Sequence, residues 1–446
     1  MAHAEAAEAG GEHTLVRTAS GAVLSAGACG LGWCREVAGA LGPALFGWRA
    51  VPLPEPASAI HASYYHNLAL GARTGTLYSW GCGTFVGGNM DGVIPALGPA
   101  DCGEGDRDGG RPDRGGAPQP VALPQTSAAS AAERAVALSG GAYHSVLLTS
   151  GGRVLTFGAG QLGQLGRSLG GAAAGDDGDA SGGSSSASSD GAGLPVDARP
   201  APVEGLDAAD EVRAIGAGFY NTLAACASGK LFCAGENQNE QCGRGAANLR
   251  TMVEVAELRG TAVAAACGGY CHTLALTRGG EVVTMGCGDE GQRGDGVAED
   301  DAAARGGRAT VSRVALPCRA AAMAAGANHS VVLGEDGVAY GFGSNEYGQL
   351  GQPPAAHSGS GSGGGGDDDD DDDDDTCVLA PARITLPPGA GRVVSVSAGY
   401  NHTVLRDEHG AVFALGQNEN GQLGLGGVCG AQTAAAATPQ RCPIDE

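Results

Sequence analysis

One cassette recurs along this chain of 446 residues, and no other sequence property limits the fold so tightly. Its last copy reads Ser397-Ala398-Gly399-Tyr400-Asn401-His402-Thr403-Val404-Leu405, runs through Gly410 and Gly416, and closes on Gly421-Gln422-Leu423-Gly424. The same order appears in Ala325-Gly326-Ala327-Asn328-His329-Ser330 with Gly348-Gln349-Leu350-Gly351, and in Gly140-Gly141-Ala142-Tyr143-His144-Ser145 with Gly163-Gln164-Leu165-Gly166. A further copy is Cys267-Gly268-Gly269-Tyr270-Cys271-His272-Thr273, followed by Gly291-Gln292. Weaker copies begin at Ala217-Gly218-Phe219-Tyr220-Asn221, Ala62-Ser63-Tyr64-Tyr65-His66 and Ala9-Gly10-Gly11-Glu12-His13. One polar anchor marks each of the seven copies: His13, His66, His144, Asn221, His272, His329 and His402.

Three low-complexity stretches, 93–130, 167–200 and 352–380, explain the uneven anchor spacing; the last contains nine aspartates, Asp367–Asp375. Setting them aside leaves about 49 residues per copy, the length of a propeller blade. Each copy reads as short strands separated by turn residues: an outer segment such as Ile384-Thr385-Leu386-Pro387, an alternating strand into the Ala-Gly step, a strand from the anchor, and a third after a glycine turn. The expected fold is all-β: one domain over 1–446, a seven-bladed β-propeller of four-stranded antiparallel blades with the three stretches as insertions. The chain opens in mid-repeat and finishes on an outer-type segment, Thr438–Ile444. That segment is expected to give the first blade its missing outer strand and so close the ring, leaving no bare sheet edge.

Composition then narrows the function classes. Glycine is 81 of 446 residues, yet no Gly-x-y period exists and 42% of residues are hydrophobic, so collagen and wholesale disorder are both excluded. The excess is read as turn positions repeated in every blade. The formal charge is −23 and aromatics are 4%, which argues against nucleic acid, since that ligand wants basic grooves and stacking rings. A protein partner, basic in character, suits the charge better. The three insertions carry −14 of the −23, so the disc itself is only mildly acidic. Neither a signal-peptide pattern nor a run of about 18 apolar residues is visible, so the expected setting is cytoplasmic, with the nucleus as the alternative, and away from membranes. The chain is expected to be a monomer. The 14 cysteines are expected to be reduced core thiols; Cys267/Cys271 and Cys29/Cys34 lack a second pair at zinc-finger spacing, so no metal is expected.

The remaining motifs read as parts of the repeat. Seven anchors spread one per blade cannot converge on an ion or a substrate, so they are expected to hold blade backbone through buried hydrogen bonds. Asn221 fits that role, because Asn is a poor general base. Gly158-Ala159-Gly160-Gln161-Leu162-Gly163 matches a dinucleotide fingerprint, but no helix follows, and it is read as a blade turn. Arg293-Gly294-Asp295 occupies the Gln-Leu-Gly corner of its copy, and the sequons at Asn328 and Asn401 fall at anchors expected to lie in strands. The aspartate run is read as a solvated spacer, because calcium loops need spaced ligands and a glycine turn. No metalloprotease, P-loop or Ser-His-Asp pattern is present, so neither classical catalysis nor a cofactor is expected.

The pattern Ala-Gly-x-x-His-Thr/Ser, Gly-x-Val/Leu-x-x-x-Gly, Gly-Gln-Leu-Gly resembles the repeats of the regulator of chromosome condensation family. The resemblance implies a seven-bladed propeller. It also implies a binder of protein partners, with a guanine nucleotide exchange factor for a small GTPase as one branch. Such factors wedge the GTPase apart and need no catalytic base. A scaffold without exchange activity is the alternative, since no wedge element aligns with the low-complexity insertions. An ultraviolet photoreceptor is more remote: that branch carries Gly-Trp-Arg-His-Thr, where this chain has Tyr143-His144, Cys271-His272, Asn328-His329 and Asn401-His402. Its only tryptophans are Trp33, Trp48 and Trp80, with Gly47-Trp48-Arg49 out of register.

Overall fold

Seven four-stranded antiparallel sheets follow one another along the chain, each formed from consecutive strands, in the computed structural model of residues 3–27, 47–81, 118–124, 133–169, 196–297, 311–352, 376–426 and 434–444. They are the blades of a seven-bladed β-propeller. Blade 1 runs outward from Ala4–Ala9 through His13–Thr18 and Val23–Gly27 to Arg49–Ala50. Blade 7 runs from Val393–Ala398 through His402–Asp407 and Val412–Gln417 to Ala435–Arg441. The second strand of every blade begins at its anchor: His66–Gly71, His144–Thr149, Asn221–Cys226, His272–Thr277 and His329–Gly334 are the five between.

The blade frame corrects the expected ring closure. Val23–Gly27 pairs with Arg49–Ala50, so blade 1 already has an outer strand of its own. The C-terminal segment Ala435–Arg441 pairs instead with Val412–Gln417 and completes blade 7. Its contribution to the seam is packing: Cys442 and Ile444 join Ala4, Ala7, Val16 and Leu423 in one buried cluster between blades 7 and 1. The repeat was therefore read one strand out of phase. An outer segment belongs to the anchor before it, because hydrogen bonds tie it to the preceding third strand.

Each innermost strand also departs from simple alternation. A one-residue register shift recurs where it pairs with the second strand, as between Ala4 and Ala6, Ala57 and Ala59, and Val393 and Ser395. Such a bulge adds twist where the blades crowd around the axis. The three expected insertions are shorter than the composition suggests. Gln119–Val121, Val196–Pro202 and Cys377–Ile384 are outer strands of blades 2, 3 and 6. Residues 93–117, 125–130, 170–195 and 353–375, Asp367–Asp375 included, lie outside the described residues.

Blades pack face to face through apolar clusters. Leu223, Cys233, Ala266, Ala275 and Met285 join blades 4 and 5, and Val331, Ile384, Leu405 and Leu415 join blades 6 and 7. Burying such aliphatic side chains contributes about 1.5–3 kcal/mol each, so the clusters, not the blade edges, carry most of the stability.

One covalent link was not expected. Cys233 and Cys242 form a disulfide, while Cys226, Cys267, Cys271, Cys287, Cys318, Cys377 and Cys442 are free. In blade 3 the same two places hold Thr156 and Leu165, and Thr156 Oγ1 donates to the Leu165 carbonyl at 2.6 Å. In blade 5 Thr284 Oγ1 donates to the Arg293 carbonyl at 2.8 Å. Blade 4 thus ties its third strand to the following corner with sulfur where its neighbours use a hydroxyl.

Candidate functional site: the anchor end of the disc

Antiparallel alternation sends the turn before each second strand and the turn after each third strand to the same end of the disc. Hairpins between second and third strands, and connections between blades, occupy the other end. The anchor end holds most of the residues singled out from the sequence, and its geometry separates structural from exposed chemistry.

The anchors form a closed belt. His13 Nε2 meets Asn67 Oδ1 at 2.6 Å, His66 meets Ser145 Oγ at 2.8 Å, and His144 meets Thr222 Oγ1 at 3.0 Å. Asn221 Nδ2 donates to Thr273 Oγ1 at 3.4 Å. His272 then meets Ser330 at 2.9 Å, His329 meets Thr403 at 3.1 Å, and His402 meets Thr14 at 3.1 Å, across the seam. Each partner is the residue just after the anchor in the next blade. The expected bond to backbone is thus joined by a side-chain bond between blades: His66, His144 and His402 also have backbone partners, Ala142, Asn221 and His13. Four of these hydroxyls donate onward to the corner glutamine's carbonyl: Thr14 to Gln422 at 2.6 Å, Thr222 to Gln164 at 2.6 Å, Ser330 to Gln292 at 2.9 Å, and Thr403 to Gln349 at 2.7 Å. A hydroxyl has one proton, so at these junctions the imidazole Nε2–H is the donor.

Burial keeps the rings neutral. Desolvation lowers His13, His144 and His329 to about 4, and His66, His272 and His402 to about 3. The rings thus cannot serve as acid–base groups near neutrality. A backbone belt runs beside them: Phe219 N donates to Gly269 O, Tyr270 N to Ala327 O, Ala327 N to Tyr400 O, and Tyr400 N to Gly11 O. The glycine of the Ala-Gly step has a different cause from the one first assigned. A Cβ on Gly399 would collide with His402 Cε1 and the Gly10 carbonyl. Space for the anchor ring, not a left-handed backbone, requires glycine there.

Other sequence motifs dissolve into the fold. Arg293 is buried and pairs with Asp295 at 3.4 Å, so that tripeptide is a corner and not an exposed loop. Gly160–Gly163 is a tight turn with Gly163 at φ +88°. Asn328 and Asn401 lie in turns just before their strands, not inside them, and donate to Glu290 and Gln417. Among the described residues no group of three or more His, Cys, Asp or Glu is placed to hold a metal ion. Cys29, Cys34 and Trp33 lie outside the described residues.

Sequence reasoning missed what the two residues before each anchor do. Tyr64 of blade 2 meets Phe219 of blade 4 at 4.5 Å and Tyr400 of blade 7 at 6.1 Å between ring centroids. Phe219 meets Tyr270 of blade 5 at 4.8 Å. Rings from non-adjacent blades can touch only across the axis, so these side chains cap the disc centre. Tyr65, Tyr143 and Tyr220 stack beside them at 5.1 and 6.1 Å. The available signal was an aromatic pair ahead of the anchors of blades 2 and 4.

Family-level comparison agrees with this architecture. The regulator of chromosome condensation (RCC1) repeat model matches residues 336–405, and a second model of that repeat matches 135–164, 212–241, 261–292, 320–349 and 393–422. The chain carries RCC1 repeats. The ultraviolet-B receptor UVR8 of Arabidopsis thaliana is 30% identical to this RCC1-repeat protein over 293 residues, which cover 65% of this chain and 54% of the receptor. The regulator of chromosome condensation of Mus musculus is 27% identical over 301 residues, covering 64% of this chain and 61% of that protein. The chain thus spans between about half and three fifths of these relatives' length. Among solved structures, Prp20p of Saccharomyces cerevisiae superposes with a TM-score of 0.68 at 19% identity, over 99% of this chain and 88% of Prp20p. Human WBSCR16 gives 0.63 at 18% identity, over 90% and 85% of the two chains. At these identities the superpositions speak for the fold.

Proposed function

We propose that this RCC1-repeat propeller is a protein-docking disc that regulates a small GTPase, acting on it as a guanine nucleotide exchange factor. The observation that carries the reading is the belt. All seven anchors are consumed in blade-to-blade bonds, so the repeated polar residues hold the ring and leave the disc's ends to act on a partner. Exchange needs a shaped, rigid surface that displaces nucleotide contacts, and it needs no acid–base residue. Relatedness adds support at the level of the family: Prp20p is described by its binding to Gsp1p and histones, and relatives include the regulators of chromosome condensation.

A scaffold without exchange activity is the second reading: beyond the blade strands, the described residues hold one short 3-10 helix, Ala256–Leu258, and no larger element that could serve as a wedge. The photoreceptor reading is weaker. Trp80 is buried in the core of blades 1 and 2, and Trp48 packs at the blade 7–blade 1 seam, so these two do not gather on an end of the disc. The deciding experiment is release of a fluorescent GDP analogue from Ran-, Rab- and Arf-type GTPases. Exchange activity predicts release well above the intrinsic rate for one class; intrinsic rates throughout would leave the scaffold.

A further inference from the structure

The aromatic cap is not something the repeat needs. Blades 1, 3 and 6 close their anchor turns with Gly11, Ala142 and Ala327 where blades 2, 4, 5 and 7 place Tyr64, Phe219, Tyr270 and Tyr400. Seven of the chain's nineteen aromatic residues (nine Tyr, seven Phe, three Trp) nevertheless gather here. Tyr64 and Phe219 are buried and support the others, whereas Tyr270 is 44% and Tyr400 37% exposed. Two large rings held in place by a buried pair, yet open to solvent, form a preorganised contact surface.

The surroundings are acidic. Among the described residues, the anchor turns and the first residues leaving the third strands (160–163, 236–241, 287–291, 345–348 and 418–421) contain no lysine or arginine; farther along these connections Arg244 lies beside Glu257, and Arg167 and Arg293 are buried against Asp197 and Asp295. Glu236 lies close enough to Tyr220 and Tyr270 to add to the burial that raises both phenols. Glu290 is half-buried, and Glu346 and Glu419 are exposed. A guanidinium or ammonium over a tyrosine face, with a carboxylate at the ring edge, is the ligand such a site satisfies best. A polyanion would be repelled, and a second copy meeting this end with its own would bring two acidic rims together.

We propose that this end of the propeller, with Tyr270 and Tyr400 as contact rings and Glu236 and Glu419 as their charged rim, docks a basic peptide segment of a partner protein. The proposal rests on the protein-docking reading and deepens it by naming the face and the chemistry of the segment.

The test is fluorescence anisotropy of a fluorescein-labelled peptide rich in arginine and lysine, titrated with the full chain. The double variant Tyr270→Ser/Tyr400→Ser is expected to bind about tenfold more weakly. Tyr270→Phe/Tyr400→Phe should stay within about twofold of the parent, because the ring face survives. Glu236→Gln/Glu419→Gln should weaken binding and flatten its salt dependence. Glu281→Gln, at the hairpin end, should change nothing. Both tyrosines are exposed, so unchanged melting of the Ser variant shows that a loss is local. Equal affinity of parent and Ser variant overturns the proposal, as does failure of the parent to bind the peptide. It is also overturned if deleting Asp367–Asp375 abolishes binding while the Ser variant retains it. GDP release run in parallel separates the two readings: release without peptide binding overturns the face, and peptide binding without release overturns only the exchange reading.

Discussion

The two ends of the disc are made from the same repeat and solve different problems. At the anchor end, polar groups are buried and neutral, each hydrogen-bonded into the next blade, and the charge beyond them is acidic. At the hairpin end, charges of both signs sit in local pairs. Arg153 bonds Glu133, Arg73 lies 3.6 Å from Glu55, and Arg213 lies 2.8 Å from Glu211. The first end holds the ring together, because its bonds cross every blade junction. The second end pairs its charges locally, and its blade-to-blade bonds are backbone ones, as where Ala57 N donates to Gly21 O, Val393 N to Gly337 O and Ala4 N to Gly410 O. The difference teaches where a side-chain substitution will be felt: across a blade junction at the anchor end, within one hairpin or connection at the ion pairs of the other end.

Glycine substitution should break this comparison most sharply. Gly399→Ala places a Cβ against a backbone carbonyl and the His402 ring, neither of which can move without opening the blade 7–blade 1 seam. It is expected to cost about 3 kcal/mol or more. Gly280→Ala, at a hairpin with φ +79°, meets the Arg319 side chain, its Cβ at 2.7 Å, with no backbone carbonyl in the way, and adds backbone strain of about 1–2 kcal/mol. Chemical denaturation of the two variants checks the order; equal losses would mean that the belt has no privileged role.

Acid should divide the ends next. The belt histidines titrate near 6.5 when unfolded and at about 3 to 4 when folded. Between those values the unfolded chain binds more protons, so their contribution is complete above about pH 6.5 and is lost as pH falls towards 4. Glu8 has the opposite sign. Burial raises its carboxyl to about 7, so its contribution is complete below the unfolded value of 4.5 and fades as pH rises through 7. A melting series is expected to fall below pH 6, with a shallower fall in His144→Asn, which copies the natural Asn221 junction. Glu133, whose carboxyl is held below its usual range chiefly by Arg153, adds a loss only below about pH 4.5.

The smallest effect is expected from Arg213→Ala. Its pair with Glu211 is exposed on both sides, at 62% and 56%, and should be worth less than about 0.5 kcal/mol. A loss approaching that of the glycine variant at the anchor end would contradict the local character of these ion pairs.

Much of this molecule was legible in its sequence because a repeat is local. Cassette spacing, turn residues and strand periodicity are set by neighbouring residues, and they were enough for seven four-stranded blades and seven anchors. The RCC1-repeat match rests on the same motifs. Relations between blades were not legible. Whether Thr438–Ile444 belongs to the first blade or the last is a choice of phase that the periodic pattern leaves open, and hydrogen bonding to Val412–Gln417 decides it. His402 and Thr14 are 388 positions apart, and only ring closure makes them partners. Likewise Tyr64, Phe219 and Tyr400 look like scattered aromatics until seven blades share one axis. Local propensity can specify a blade; only the closed ring brings distant blades close enough to share a proton, a seam or a face.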